Sequence, residues 1–174
     1  VLGRLNVLYV FHLLKTGNKD GAVRALAAGL RFSHDVGNGG SLFATLIAKD
    51  LLTSHLRAVT DALRLEQLSP GQRLQLQTAV ARVAEGLDWP AAAKRDLETL
   101  REDYAANAQA SAALSRIISS YVAALADESR LPALDQALQS APRELASVIP
   151  NARRVLEQKQ DLNNTLMQTR ALLQ

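Results

Sequence analysis

The sequence predicts a single all-α domain, and three observations lead to this prediction. Hydrophobic residues make up 48% of the 174-residue chain, yet only 4% of the chain is aromatic, and leucine and alanine dominate the remainder. These two residues lose little rotamer freedom in helices, whereas strands favour β-branched and aromatic residues. Apolar residues recur at helical spacing, and most prolines and glycines stand where a helix should begin or end. We expect six to seven helices, with an N-terminal helical bundle over residues 1–88. Residues 89–174 should form a long helix that leads into a C-terminal helical hairpin.

The chain is predicted to begin with two helices joined by a glycine turn. The first helix covers about residues 2–15 and ends before Gly17. Asp20 is the expected N-cap of the second helix, which covers about residues 21–36. Gly37 is expected just past the end of this helix, because glycine adopts a positive φ there without steric cost.

The third predicted helix covers about residues 42–65, and Gly40 or Ser41 is its expected N-cap. Apolar residues occupy a wide arc of this helix: Leu42, Phe43, Leu46, Ile47, Leu51, Leu52, Leu56, Val59 and Leu63. Its polar residues are confined to a narrow stripe: Lys49, Thr53, Arg57, Thr60 and Arg64. A helix that is apolar on most sides should be the central one.

Capping residues mark the starts of the fourth and fifth helices. Ser69 is the expected N-cap of the fourth, with Pro70 at its first position and Gln72 completing a capping box. Gly86 marks the end of that helix, and Asp88 is the expected N-cap of the fifth.

A heptad-like pattern predicts that the fifth helix is long. Mostly apolar residues follow steps of three and four from Leu97 to Leu125, with Asn107 and Ser111 as polar members. One continuous or kinked helix could therefore extend to Ala126 through the alanine-rich residues 105–113.

Shorter helical pieces should follow. One is predicted over about residues 131–139, and another should begin at Pro142. The last helix is predicted over about residues 151–173, packed against the fifth, with an antiparallel pair as one arrangement.

The stretch from Ser33 to Leu46 raises the question of a functional site, because it places Ser33, His34 and Asp35 before a glycine-rich turn. Consecutive helical residues point about 100° apart, so these three side chains cannot form a catalytic triad. The turn lacks the lysine of a Walker loop, and Leu42 stands where a dinucleotide-binding loop has its third glycine. We therefore interpret the stretch as a bend between helices and assign no catalytic residue.

A ligand-binding cleft at this turn is the alternative interpretation. The backbone amides that open the third helix could hold an anion. The residues of such a cleft would be His34, Asp35, Gly39, Gly40, Ser41, Asp50 and His55. No histidine pair has the spacing of a helical metal motif and cysteine is absent, so we expect neither a metal nor another cofactor.

The charge distribution indicates no strong nucleic-acid signal. The net charge is +3, but the basic residues are scattered and form no dense run. Arg143, Arg153 and Arg154 form a small basic cluster, which gives a third interpretation: binding to an anionic surface.

No transmembrane segment is expected, because no apolar stretch approaches the roughly 18 residues that span a bilayer. The chain begins at Val1 rather than methionine, so we expect a processed or excised form. Export to the periplasm is expected if a signal peptide precedes Val1.

Residues 20–104 resemble a pattern found in uncharacterised bacterial helical proteins that are predicted to be exported. The pattern is a helix rich in small residues ("DGAVRALAAGL"), a glycine turn followed by "SL", a long apolar helix, and a charged helix containing "RDLETLRED". The resemblance implies no activity, because these proteins have no assigned chemistry.

These features favour a non-catalytic module of a bacterial protein that binds a protein partner or has a structural role through its helix faces. Self-association as a homodimer is one form of that role. The alternative is a small-ligand-binding or enzymatic bundle that uses the cleft near the Gly37–Ser41 turn.

Overall fold

The structure, a computed structural model, describes residues 2–65 and 67–174, and every regular element in these residues is helical. The elements in chain order are α1 (Leu2–Lys15), α2 (Lys19–Gly37), α3 (Leu42–Leu65), α4 (Pro70–Arg82), α5 (Trp89–Asp103), α6 (Ala108–Ala126), a 3₁₀ turn (Glu128–Arg130), α7 (Leu131–Gln139), α8 (Arg143–Val148) and α9 (Ala152–Leu173). The all-α prediction is therefore confirmed. The described residues form nine α-helices, so the expected count of six to seven was too low.

Most helices begin where the sequence predicted, because the capping side chains make the expected bonds. The Ser69 hydroxyl accepts a hydrogen bond from the Gln72 backbone N–H at 3.3 Å, and the Gln72 side chain accepts one from the Ser69 N–H at 2.9 Å. Asp88 likewise caps α5 by accepting from the backbone N–H of Ala91 at 3.0 Å. These bonds satisfy amides that the first turn of a helix leaves without partners.

The expected N-cap of α2 was wrong. Asn18 caps this helix by accepting from the Gly21 N–H at 2.9 Å, so α2 begins at Lys19. Asp20 instead lies in the first turn, where its negative charge suits the helix dipole. Its carboxylate accepts a hydrogen bond from Gln72 Nε2 at 2.7 Å, which joins the first turns of α2 and α4.

Gly37 differs from its expected role as a residue past the helix end with positive φ. It is the last residue of α2 and is buried, and the glycines that adopt a positive φ in the described residues are Gly17 and Gly86. A Cβ at position 37 would lie 2.9 Å from the Cβ of Ala48 and still closer to the side chain of Leu87. Glycine is therefore required at position 37 because α2 packs closely on its neighbours.

The prediction of one long fifth helix was also wrong. α5 ends at Asp103, and α6 begins at Ala108 after a short turn. Asn107 caps α6 by accepting from the Ala110 N–H at 3.0 Å, which ends the helical path that alanine propensity favours. The chain folds back at this point, so Leu100 of α5 packs against a buried cluster formed by α6 and α8: Ala110, Ala113, Leu114 and Leu145.

The last helix does not pair with a long fifth helix as expected. α9 packs mainly on α3 and α4 of the N-terminal half, with a smaller contact to α6. Its buried side chains belong to one hydrophobic cluster that also includes residues from the N-terminal helices. The arrangement therefore differs from the expected one, in which a long helix led from an N-terminal bundle into a C-terminal hairpin.

Part of the polar stripe of α3 is covered by α9, whereas Arg57 and Arg64 of this stripe are exposed. Lys49 and Thr53 are buried, and the Lys49 ammonium donates a hydrogen bond to Gln158 Oε1 at 2.7 Å. Farther along the helix, the hydroxyls of Thr60 and Thr169 lie 3.4 Å apart. Gln158 and Thr169 of α9 therefore contact Lys49 and Thr60 of this stripe, and these contacts favour the packing of α9 on α3.

The described helices include none that is both long enough and apolar enough to cross a membrane.

Candidate functional site

The Gly37–Ser41 turn is held in place by α5. The Asp96 carboxylate accepts a hydrogen bond from the Leu42 N–H at 3.0 Å, and the Ser41 hydroxyl accepts from the Ala44 N–H at 3.2 Å. The Arg95 guanidinium donates to the Gly40 carbonyl from Nη2 at 2.7 Å and from Nε at 3.1 Å. The carboxylate that the start of α3 could attract is therefore supplied by the chain itself.

His34 and Asp35 lie together in the last turns of α2. The nearer oxygen of Asp35 lies 3.8 Å from His34 Nδ1. The amide nitrogen of Asn38 lies 2.7 Å from His34 Nε2. The amide oxygen of Asn38 accepts a long hydrogen bond of 3.4 Å from the Asp88 N–H. His34 is partly exposed and Asp35 is exposed, so both are accessible to a binding partner.

Asp50 and His55 do not join His34 and Asp35. Asp50 is exposed on α3, 3.6 Å from the ammonium of Lys49. His55 is buried beneath α1 and α2, so the seven candidate residues do not form one cleft.

His55 links the first three helices through a hydrogen-bond network. Its Nδ1 donates to the Leu51 carbonyl at 2.8 Å and lies 3.2 Å from the Ser33 hydroxyl. Its Nε2 accepts from the Asn6 amide at 3.1 Å, and that amide also donates to the Ala25 carbonyl at 3.1 Å. These bonds assign the neutral ring with its proton on Nδ1.

The surroundings of His55 favour this neutral form. Burial lowers the pKa of His55 below its usual value of 6.5, and the hydrogen bond to the Leu51 carbonyl offsets part of that shift. Gly29 makes the arrangement possible, because a Cβ there would overlap the His55 ring and the Asn6 amide. His55 and Ser33 are 1% and 0% exposed, so this serine–histidine contact is a structural one.

A groove lies between α2 and α4, and we call it the α2–α4 groove. Its volume is about 750 Å³. Four small or apolar side chains line it, and we call them its floor: Ala27, Ala28, Ala79 and Val83. The polar side chains of Gln75 and Thr78 line it as well. Three exposed arginines stand along it: Arg24, Arg31 and Arg82. His34 and Asp35 lie at one end, and Leu74, which is 61% exposed, also lines it.

Of the residues that line this groove, His34 and Asp35 were candidates from the sequence, and the arginines and the small residues were not. One signal was present, because Arg24 and Arg31 are separated by seven residues and therefore fall on the same side of α2. What the sequence could not supply is that α4 packs beside this face, which is what makes it a groove.

A second cavity of about 570 Å³ lies beside the Gly37–Ser41 turn, and we call it the turn cavity. His34 lines both this cavity and the α2–α4 groove. Two cations border the turn cavity, and both already hold backbone carbonyls: Arg95 binds Gly40, and the Lys159 ammonium donates to Leu125 at 2.7 Å.

Three large apolar side chains are exposed on the outer face of α1, where Arg4, His12 and Lys15 are exposed as well, and we call these three the α1 strip. It consists of Leu5, Leu8 and Tyr9, which are 53%, 65% and 55% exposed. Phe32 of α2 is exposed nearby and lines a shallow depression together with Gly3 and Asn6 of α1. Ala28 lines both this depression and the α2–α4 groove, so the two features meet on α2.

The basic cluster predicted near the C-terminal prolines is partly neutralised. Arg153 forms an ion pair with Asp135 at 2.7 Å, whereas Arg143 begins α8. In the part of the chain that the structure describes, no three His, Cys, Asp or Glu side chains come together as a metal site would require.

No model of a known protein family, no curated protein and no solved structure matches this chain.

Proposed function

We propose that this chain is a non-catalytic protein-interaction module of a bacterial protein and that it binds its partner through helix surfaces. The observation that carries the proposal is the α1 strip, in which Leu5, Leu8 and Tyr9 follow the i, i+3, i+4 spacing of one helix face. Isolated apolar residues are common on protein surfaces, but a row of large ones along a helix is typical of a binding face.

The distribution of aromatic residues also supports a binding face. The chain has seven aromatic residues, and three of them are exposed on the first three helices: Tyr9, Phe32 and Phe43. Aromatic residues are enriched in interfaces, where they contribute a large contact area. In a chain so poor in aromatics, their exposure is better explained by a partner than by the needs of the core.

The candidate polar residues give less support to catalysis. Asp50 and His55 lie apart from His34, and the His55 ring is already bonded on both nitrogens. A catalytic site needs its nucleophile, base and orienting groups within mutual hydrogen-bond reach around an accessible pocket.

Site-specific photocrosslinking in the cells that produce the protein tests the proposal. A photoreactive phenylalanine analogue would replace Leu8 in the α1 strip, and a matched variant would carry it in place of Gln109, which is exposed on α6. We expect discrete adducts of defined mass from position 8 and none of these from position 109. Identical adducts from both positions, or none from position 8, would contradict a binding role for the α1 strip.

Light scattering then separates self-association from binding to a different protein. A mass that doubles with concentration in the wild type but not in a Leu8→Glu variant would identify a second copy of the chain as the partner. A monomer at every concentration, together with adducts at position 8, would identify a different protein.

The turn cavity supports a second candidate function, which is binding of a small polar ligand. The supporting observation is that polar and charged side chains of both signs border a volume large enough for a metabolite: His34, Asn38, Glu85, Asp88, Arg95 and Lys159. Inorganic phosphate and acetate serve as probes in a titration followed by NMR. Saturable shifts at His34 that a His34→Ala variant lacks, with no change at Arg116 on α6, would support this function.

Export remains a proposal that depends on the resemblance of residues 20–104 to exported bacterial proteins. Fractionation of the producing cells tests it, because an exported protein should be recovered with periplasmic markers.

A further inference from the structure

The chemistry of the α2–α4 groove indicates what kind of partner would occupy it. Its floor is made of alanines and a valine, and small side chains allow the backbone of another helix to approach closely. Leu74 of α4 is 61% exposed at this groove. An apolar floor with one large apolar side chain is suited to the apolar face of an amphipathic helix.

The charged residues of the groove are predominantly positive. Arg24, Arg31 and Arg82 face a single carboxylate there, that of Asp35, which lies beside His34. Among residues 2–65 and 67–174, none of these three guanidinium groups has an ion-pair or hydrogen-bond partner. Guanidinium groups bind carboxylates in a bidentate geometry, so carboxylates of a partner would complete this arrangement.

The dimensions of the groove are those of a short helix. Arg24 and Asp35 are eleven positions apart on α2, which corresponds to about 16 Å, or three helical turns, at about 1.5 Å per residue. Arg24 and Arg31 are separated by about 10 Å along the helix axis on the same basis. Carboxylates two turns apart on a partner helix would match that separation.

We infer that the α2–α4 groove binds an acidic amphipathic helix of another protein, with its apolar face on the floor and its carboxylates against Arg24, Arg31 and Arg82. This inference rests on the proposed function, for which it names the partner. A nucleic acid would make no use of an apolar floor, and the surface of a bilayer would not enter a groove between two helices.

The probe that tests this inference is a fluorescent peptide of about 15 residues, or four helical turns, with leucines on one helical face and glutamates flanking them. One control peptide has lysine in place of every glutamate, and another has serine in place of every leucine. We expect saturable binding of the acidic peptide that weakens with salt, with NMR shifts confined to α2 and α4. Neither control peptide should bind.

Matched protein variants locate the binding. Arg31→Glu should weaken binding of the acidic peptide about tenfold, as should Leu74→Ser, since a lost charged or apolar contact commonly has an effect of this size. Arg143→Glu makes the same change of charge on α8 and should leave the affinity within about twofold. These positions are exposed, so circular dichroism should show that each variant keeps its helices.

Three results would overturn the inference. The first is equal binding of the lysine peptide, and the second is an Arg31→Glu variant that binds as the wild type does. The third is no binding of the acidic peptide up to about 1 mM, the upper range of weak specific affinities. Displacement of the peptide by anionic lipid vesicles or by single-stranded DNA would instead assign the groove to one of those classes.

The proposals for the α1 strip and for the α2–α4 groove can be contradicted independently. Adducts at position 8 without binding of the acidic peptide would leave the interaction module in place and remove the groove from it. Binding of the peptide without adducts at position 8 would retain the groove and remove the α1 strip.

Discussion

At the residue scale, His55 has a role different from the one that its residue type suggests. A histidine near other polar residues is a candidate ligand or catalyst. Here the ring nitrogens of His55 are hydrogen-bonded to the Leu51 carbonyl on α3 and to the Asn6 amide on α1. The ring also contacts the Ser33 hydroxyl on α2. No ionisable side chain takes part in these bonds. His55 therefore holds three helices together as a neutral ring.

We predict that the stability of the protein falls as His55 becomes protonated. Burial lowers the pKa of His55 in the folded state below 6.5, so the unfolded chain binds more protons at pH values between these two pKa values. The contribution of His55 is fully present above about pH 6.5 and is lost as the pH falls toward the folded-state pKa. Protonation would also place an N–H on Nε2 opposite the Asn6 amide, which donates to the Ala25 carbonyl and cannot turn without losing that bond.

Urea unfolding between about pH 7.5 and pH 5.5 tests this prediction. A His55→Gln variant should be less stable than the wild type and should lack the part of the pH dependence that arises from this histidine. If His55→Gln and the wild type show the same slope, another group is responsible for the pH dependence.

Tyr121 is a second residue whose role depends on burial. It is fully buried on α6, and within the described part of the chain its hydroxyl has no hydrogen-bond partner. The buried site raises the pKa of this tyrosine well above its usual range, because it disfavours the phenolate. A buried hydroxyl without a partner opposes folding, because it gives up its hydrogen bonds to water.

We therefore predict that Tyr121→Phe leaves the stability unchanged or raises the free energy of unfolding by up to about 1 kcal/mol. Tyr104→Phe is the matched control at a partly exposed site and should change stability by no more than about 0.5 kcal/mol. A loss of more than about 1 kcal/mol in Tyr121→Phe, measured by urea unfolding, would mean that the hydroxyl has a partner such as a buried water.

At the element scale, the α2–α3 connection depends on close packing at Gly37. Alanine has a higher helix propensity than glycine by about 1 kcal/mol, so propensity alone predicts that Gly37→Ala would stabilise the last turn of α2. A Cβ there would, however, lie within 2.9 Å of Ala48 and would overlap the side chain of Leu87. The packing should therefore outweigh the propensity.

We predict that Gly37→Ala lowers the free energy of unfolding by about 1–3 kcal/mol, the usual effect of overpacking a core. Gly71→Ala is the matched control, because its Cβ would have no neighbour closer than 4.0 Å in the first turn of α4. It should be neutral or stabilising by up to about 1 kcal/mol. Thermal unfolding compares the two variants, and a stabilised Gly37→Ala protein would show that propensity dominates at this position.

The break between α5 and α6 shows that one capping residue can decide the length of a helix. Residues 105–113 are rich in alanine, so local propensity favours a continuous helix. Asn107 provides the competing interaction as an N-cap, and the fold-back that follows buries Leu114 in a cluster against which Leu100 packs. The gain from this packing is not visible in a local stretch of sequence.

At the scale of the whole molecule, α9 joins the two ends of the chain into one core. Its apolar face buries residues against α3, α4 and α6: Ala152, Val155, Leu156, Leu162, Leu166 and Leu173. Burial of each larger side chain contributes about 1.5–3 kcal/mol, so α9 contributes on the order of 10 kcal/mol. This is similar to the net stability of a typical domain, which is about 5–15 kcal/mol.

We therefore predict that a chain of residues 1–151 has no cooperative unfolding transition at 25 °C. Two point variants of the full chain serve as graded controls. Leu162→Ala removes a fully buried side chain and should cost about 2–5 kcal/mol, whereas Met167→Ala at a site that is 64% exposed should cost less than about 0.5 kcal/mol. If residues 1–151 unfold cooperatively at the temperature of the full chain, α9 is not needed for the stability of the core and the prediction is wrong.

The secondary structure was largely determined by the sequence itself. Capping by Ser69 and Asp88 is a local interaction, because the side chain bonds to a backbone amide three residues away. The apolar spacing that predicted the third helix is local as well. For this reason the all-α class and most helix boundaries could be predicted from the sequence, without knowledge of the tertiary structure.

The partners of those helices and the candidate sites were decided by the tertiary structure. The side chain of Lys49 has the same local pattern whether it meets water or Gln158, and only the placement of α9 selects between them. The α2–α4 groove likewise exists because two helices separated by α3 in the chain pack side by side. Local interactions act over a few residues, whereas packing joins residues that are a hundred positions apart, and a single sequence contains no direct measure of that proximity.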